Sequence, residues 1–144
     1  ALVYGRVTPP SGRIEAPIGR HPRHRKKMAV VFGGREAITH YRVISHIGRY
    51  SLLRLNLETG RTHQIRVHLS SIGYPVVGDP TYTQVNWGDL PPELTLPQAL
   101  HACRIVFVHP RTSETMEFSV PLPEEFRRGL QALSIISGET GPIF

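Results

Sequence analysis

Between Arg61 and His68 the chain sets two arginines, two histidines and a glutamine in eight positions, directly after an apolar run that reads as a strand. On a helix that starts at Thr62, His63 and Arg66 are three apart and share one face, while Gln64 and His68 are four apart and share another. A helix start offers unpaired amides and the positive end of its dipole. With Arg61 standing just before it, the junction suits an anion, either a phosphate or a carboxylate. The plainer reading is a solvated polar face on an amphipathic helix, the commoner use of such a pattern. The strand–Gly60–helix junction and the scarcity of acidic neighbours argue for a site.

Other chemistries fit less well. Eight histidines raise the question of zinc, but His63 and His68 are five apart and fall on different helix faces. His21 and His24 have no cysteine or carboxylate nearby, and His40, His46, His101 and His109 are scattered over strand-like positions. No metal site is expected. Ser70 and Ser71 come late in the helix with no Gly-x-Ser-x-Gly turn around them. Cys103, the single cysteine, lies in an apolar run and reads as a small buried hydrophobe. Only two aspartates, Asp79 and Asp89, are available to any mechanism that needs one.

Charge points to the partner. The net charge is +6, and 15 of the 17 basic residues are arginine, whose planar fork suits phosphate. The loop Arg20–Lys27 carries Arg20, Arg23, Arg25, Lys26 and Lys27 with two histidines. Such runs are most often merely solvated, but beside an arginine-rich helix start, phosphate contact with RNA or DNA is the better reading. No apolar run has the length of a membrane span and no leader opens the sequence, so a soluble cytoplasmic protein is expected.

The elements that must position these groups follow from period and punctuation. Ala1–Val7, Arg13–Ile18 and Met28–Phe32 read as strands, with Gly19–Lys27 as a basic loop. Glu36–Ile47 and Tyr50–Leu57 form an antiparallel hairpin about Gly48-Arg49, and in the second strand Leu53, Leu55 and Leu57 share a face. Thr62–Ile72 switches to a helical stripe of Ile65, Leu69 and Ile72, with Thr62 as cap and Gly73 as the left-handed terminator. Thr83–Leu96 is a loop. Ala99–Val108 and Glu114–Val120 form a last hairpin before a helix over Glu124–Leu133, with Pro123 near its first turn. The pattern is α+β: a mainly antiparallel mixed sheet with flanking helices, in one domain of 144 residues.

The run Leu57-Glu58-Thr59-Gly60-Arg61-Thr62-His63-Gln64-Ile65-Arg66-Val67-His68-Leu69 resembles the third catalytic motif of the RluA/RluD-type pseudouridine synthases, and Gly73–Tyr82 resembles the segment that follows it. Gly19-Arg20-His21-Pro22, Arg25-Lys26-Lys27-Met28, Ala37–Tyr41, Leu100-His101-Ala102 and Pro121-Leu122-Pro123 extend the resemblance over nearly the whole chain. It implies a catalytic domain around a long, bent sheet with an RNA-binding cleft. It also implies conversion of uridine to pseudouridine in large-subunit ribosomal or transfer RNA, with no metal and no cofactor. An essential aspartate acts on a uridine flipped out of its stack, and a cation of the third motif holds that aspartate ionised. By position the cation is Arg66. Arg61, His63 and Gln64 become candidates for RNA or site-shaping contacts, and Ile65 for packing under the base.

The family's aspartate stands in an Arg-Leu-Asp context, and no such segment occurs in these residues. The catalytic tyrosine falls about two positions before Ala1 by the family pattern. The expectation is therefore the carboxy-terminal portion of a synthase domain (residues 1–144), without the amino-terminal half that carries the aspartate, and inactive alone. The alternative is a non-catalytic RNA-binding module. A sheet cut at Ala1 would expose an edge, so self-association is also expected.

Overall fold

The computed structural model describes residues 1–83, 90, 92, 94 and 98–138. In chain order the elements are β1 (Leu2–Tyr4), β2 (Ser11–Glu15), β3 (Ile18–Arg20), β4 (Met28–Val30), β5 (Ile38–Ile47), β6 (Tyr50–Leu57), α1 (Gln64–Ser71), β7 (Arg104–Val108), β8 (Thr115–Ser119) and α2 (Glu124–Ser137). The class is α+β. Every pairing between these strands is antiparallel, in a four-stranded sheet of order β1-β6-β5-β2 and two hairpins, β3-β4 and β7-β8.

The β5–β6 hairpin forms where expected, closed by Ile47 opposite Tyr50 with Gly48 at φ 55° in the turn. An irregularity between Val43 and Ser45 shifts the register, so Ile44 is an extra residue in β5. The expected alternation survives only at Arg54, Leu55 and Asn56, and Leu57 of the expected apolar face is exposed. Tyr50, Ser51, Leu52 and Leu53 are all buried, because both faces of the sheet are covered at that end. The expected strand over Arg13–Ile18 is instead split into β2 and β3 around Pro17, which has no N–H to give a ladder. Gly19 and Arg20 thus belong to a strand rather than to the basic loop.

Most of the core is one cluster that includes Leu2, Val3, Leu52, Leu53, Leu69, Val76 and Val77. From α2 it takes Phe126, Leu130 and Leu133, a stripe at helical spacing. Gly129 lies on that stripe because a Cβ there would come within 2.3 Å of Leu94. A smaller cluster of Ile18, Ala37, Val67 and Tyr82 ties β3 to α1 and to the segment after it.

Two expectations about the surface are corrected. The edge at β1 is closed: Leu2 N–H donates to Ala99, Tyr4 N–H to Pro75, and Val77 N–H to Leu2. The open, apolar element is the β7–β8 hairpin, where Ile105, Phe107 and Phe118 are exposed and the two phenylalanine rings stack at 6.0 Å. Cys103, at the start of that hairpin, is exposed rather than buried, because the hairpin is left uncovered.

Candidate active site

Helix α1 begins two residues later than its sequence pattern suggests. Its N-cap is His63, in the left-handed region at φ 57°, and no side chain caps the helix, so Thr62 does not serve. The C-terminus follows expectation. Gly73 N–H donates to Ser70 and Tyr74 N–H to Leu69, with Gly73 at φ 85°, the double bond pattern of a Schellman motif. The buried side is polar: Gln64, Arg66 and His68 are buried with Val67 and Leu69, whereas Ile72 of the expected apolar stripe is exposed.

The two pairings predicted by helical spacing are both present. On one side, Gln64 Nε2 donates to Thr39 Oγ1 at 3.0 Å, and Thr39 Oγ1 lies 2.9 Å from His68 Nδ1. His68 Nε2 is 2.9 Å from the Ala16 carbonyl, which can only accept, so the ring carries its proton on Nε2 and Thr39 donates to Nδ1. Gln64 Nε2 also reaches the Ile38 carbonyl, and Gln64 Oε1 accepts from Thr59 Oγ1 and the Arg61 N–H. All four hydrogen-bonding positions of Gln64 are filled inside the protein. It shapes the strand–helix junction and is not available to RNA without breaking that network. Ile65 is half-buried against the main core.

On the other side, His63 and Arg66 converge on Tyr82. Arg66 binds Asp79 through two bonds, Nε to Oδ2 at 2.7 Å and Nη2 to Oδ1 at 2.8 Å, with its guanidinium carbon 4.9 Å from the Tyr82 ring centre. Asp79 Oδ1 also accepts the N–H groups of Thr81 and Tyr82. Asp79 is thus a partner of Arg66 that the sequence reading did not assign, distinct from the reacting aspartate expected from outside these residues. Asp79 cannot be the reacting carboxylate, since it is only 2% exposed and its oxygens hold four hydrogen bonds. Its role is to fix the plane of Arg66, whose Nη1 makes no hydrogen bond among the described residues. Burial alone would raise the Asp79 carboxyl; the Arg66 bonds and the two backbone amides outweigh it and hold it below the ordinary value. Asp79 in turn raises Arg66.

Tyr82 joins this pair to the surface. Its hydroxyl accepts the Met28 N–H at 3.0 Å and lies 2.8 Å from His63 Nδ1. Burial and the charge of Arg66 lower His63, so its imidazole is uncharged at neutral pH. Lys27 Nζ donates to the Thr81 carbonyl at 2.8 Å, which anchors the base of the basic loop beside the Arg66–Asp79 pair. Within the loop, His21 Nδ1 accepts the N–H groups of Arg23 and His24, and Arg20 Nη1 reaches the Arg25 carbonyl. Arg20, Arg23, Arg25 and Lys26 are exposed, whereas Lys27 is half-buried. Arg61 is held by Nε to the Glu36 carbonyl at 2.8 Å. Asp89 lies outside the described residues. Among the described residues no cluster of His, Cys, Asp and Glu could hold a metal, and no helix is long and apolar enough to cross a membrane.

Tyr82 is the residue of this site that composition and helical period do not single out, and Asp79 stands out only as one of two aspartates, with nothing in composition or period to pair it with Arg66. The one local signal is Asp79-Pro80 with two amides following, the arrangement in which an aspartate caps its own turn.

The sequence profile described as RNA pseudouridylate synthase matches residues 2–71. An uncharacterized RNA pseudouridine synthase of Chloroflexus aurantiacus is 53% identical over 134 residues, which are 92% of this chain and 40% of that protein. Ribosomal large subunit pseudouridine synthase D of Nitrosomonas europaea is 47% identical over 136 residues, 92% of this chain and 39% of that protein. Among solved structures, human RNA pseudouridylate synthase domain containing 1 superposes with a TM-score of 0.72 at 32% identity, covering 85% of this chain and 53% of that one. The chain belongs to the RluA/RluD-type family of RNA pseudouridine synthases. It spans about two fifths of the length of the curated relatives it matches.

Proposed function

We propose that the whole protein is a cytoplasmic RNA pseudouridine synthase acting on large-subunit ribosomal RNA, and that residues 1–144 form the carboxy-terminal portion of its catalytic domain. The observation that carries this reading is Arg66: buried, always charged, fixed by Asp79 and Tyr82, with Nη1 left over for a further acceptor. In the proposed reaction that acceptor is a catalytic carboxylate supplied from outside these residues. The bond between ribose C1′ and uracil N1 breaks, the base turns, and C1′ rejoins to C5; C5 gives up its proton and N1 takes one up, so the product is an isomer of the substrate. Arg66 keeps the carboxylate ionised and oriented, and His63 meets the RNA as an uncharged imidazole. Arg61 and the loop residues Arg20, Arg23, Arg25, Lys26 and Lys27 take the phosphates of a strand whose target uridine is turned out. Self-association through the apolar β7–β8 hairpin belongs to the same proposal.

The test is to incubate large-subunit ribosomal RNA with the whole protein and, separately, with the 144-residue chain, and to map pseudouridine. Product from the whole protein and none from the chain is the expected result. Product from the chain alone would show that the carboxylate lies within it. RNA binding without product from either would favour a non-catalytic RNA-binding module.

A further inference from the structure

Strand residues alternate between the two faces of a sheet, and α1 packs on the face that carries Thr39. His40 and Arg42 therefore project from the opposite face. Their cross-strand partners share it: Arg42 stands opposite both Arg54 on β6 and Ser11 on β2, and His40 opposite Asn56 and Arg13. These six residues line an open groove of about 570 Å³ across the three strands. Two of its residues are already paired, Arg13 with Glu15 and Glu58, and the His40 ring nitrogen with the Glu58 carboxylate. Arg42 and Arg54 are exposed and have no acidic partner among the described residues. Like charges directly opposite each other on neighbouring strands destabilise a sheet unless something anionic lies between them.

We propose that this groove is a second RNA-backbone site, in which Arg42 and Arg54 clamp a phosphate and Asn56 and Ser11 give flanking polar contacts. The inference rests on the RNA-modifying reading above and extends it to a surface on the face of the sheet turned away from α1. Two guanidinium forks facing one gap match the geometry of a phosphodiester, and the protein's arginine-rich positive charge favours RNA over an acidic protein segment. The backbone seated there would hold RNA that flanks the target nucleotide. The groove adds affinity and register and leaves the reacting atoms alone.

The experiment measures the affinity of the whole protein for a structured fragment of large-subunit ribosomal RNA over a range of salt. Arg42→Gln/Arg54→Gln is compared with Arg111→Gln/Arg128→Gln, which removes the same charge elsewhere, and with Arg23→Gln/Arg25→Gln in the basic loop. The groove variant is expected to bind about tenfold or more weakly, and its slope of log affinity against log salt to fall by roughly 0.7 to 0.9, the value for one neutralised phosphate. Its thermal midpoint is expected to be unchanged or higher, since a like-charge pair is removed. An equal loss in the Arg111/Arg128 variant would reduce the effect to net charge and overturn the proposal. Unchanged RNA binding with lost binding of a polyglutamate peptide would assign the groove to an acidic protein segment and also overturn it. If the groove variant binds normally while the loop variant weakens, the groove proposal fails and the RNA-modifying reading stands. If wild-type protein does not bind the RNA at all, that reading itself fails.

Discussion

Asp79 stays ionised inside the protein because Arg66 and two backbone amides replace the water it lost on folding. Its folded carboxyl titrates below the unfolded value of 3.8. The pairing therefore contributes its full stability above that pH and loses it as pH falls through the folded value. Asp79→Asn removes the charge while keeping the shape, leaving Arg66 buried beside a neutral amide. The expected loss is about 3–5 kcal/mol at pH 7, the usual cost of stripping one partner from a buried pair. Chemical denaturation at a series of pH values checks both claims: the gap between wild type and variant should be constant from pH 7 to 5 and narrow below pH 4. A constant gap down to pH 2 would show that Asp79 is not the titrating partner. Arg66 was legible in the sequence because its motif is long and its helical spacing from His63 is clear. Its partner was not, because the Arg66–Asp79 bond joins residues 13 apart through a turn that local pattern cannot trace.

At the scale of elements, the polar side of α1 is buried because β5 supplies Thr39 as a hinge between Gln64 and His68. A low-polarity stripe of Ile65, Leu69 and Ile72 was the natural sequence expectation, and Ile72 fails it because the buried face is turned toward Thr39. The hairpin β5–β6, the Gly73 terminator and helix α2 were legible, since each depends on a turn glycine or a clear period. The short strands β2 and β3 were not separable without knowing where Pro17 and the β5 ladder would divide them. Thr39→Val keeps the volume but leaves Gln64 Nε2 and His68 Nδ1 each short of a partner in a buried place. The expected destabilisation is about 2–4 kcal/mol from two unsatisfied groups, read as a lower denaturant midpoint. A loss below about 0.5 kcal/mol would mean that the network does not hold the helix to the sheet.

For the molecule as a whole, the sheet edge at β1 is sealed by its own chain, while the β7–β8 hairpin presents Ile105, Phe107 and Phe118 to solvent. A two-stranded hairpin is at best marginally stable without cover, and an apolar one recruits it. The 144-residue chain is therefore expected to self-associate at high concentration in light scattering, and Ile105→Lys/Phe118→Lys to return it to a monomer; a monomeric wild type would refute this. The proposed chemistry meets RNA where the basic loop is anchored to the segment that holds Arg66. The most direct test of its central claim is pseudouridine mapping in large-subunit ribosomal RNA treated with the whole protein and with its Arg66→Lys variant, both shown to be folded. Lysine keeps the charge but cannot bridge Asp79 and a second carboxylate in one plane. Pseudouridine is expected from the wild type, and a rate at least about 100-fold lower from the variant, equivalent to about 2.7 kcal/mol of transition-state stabilisation. Equal rates, or no pseudouridine from the wild type, would contradict it.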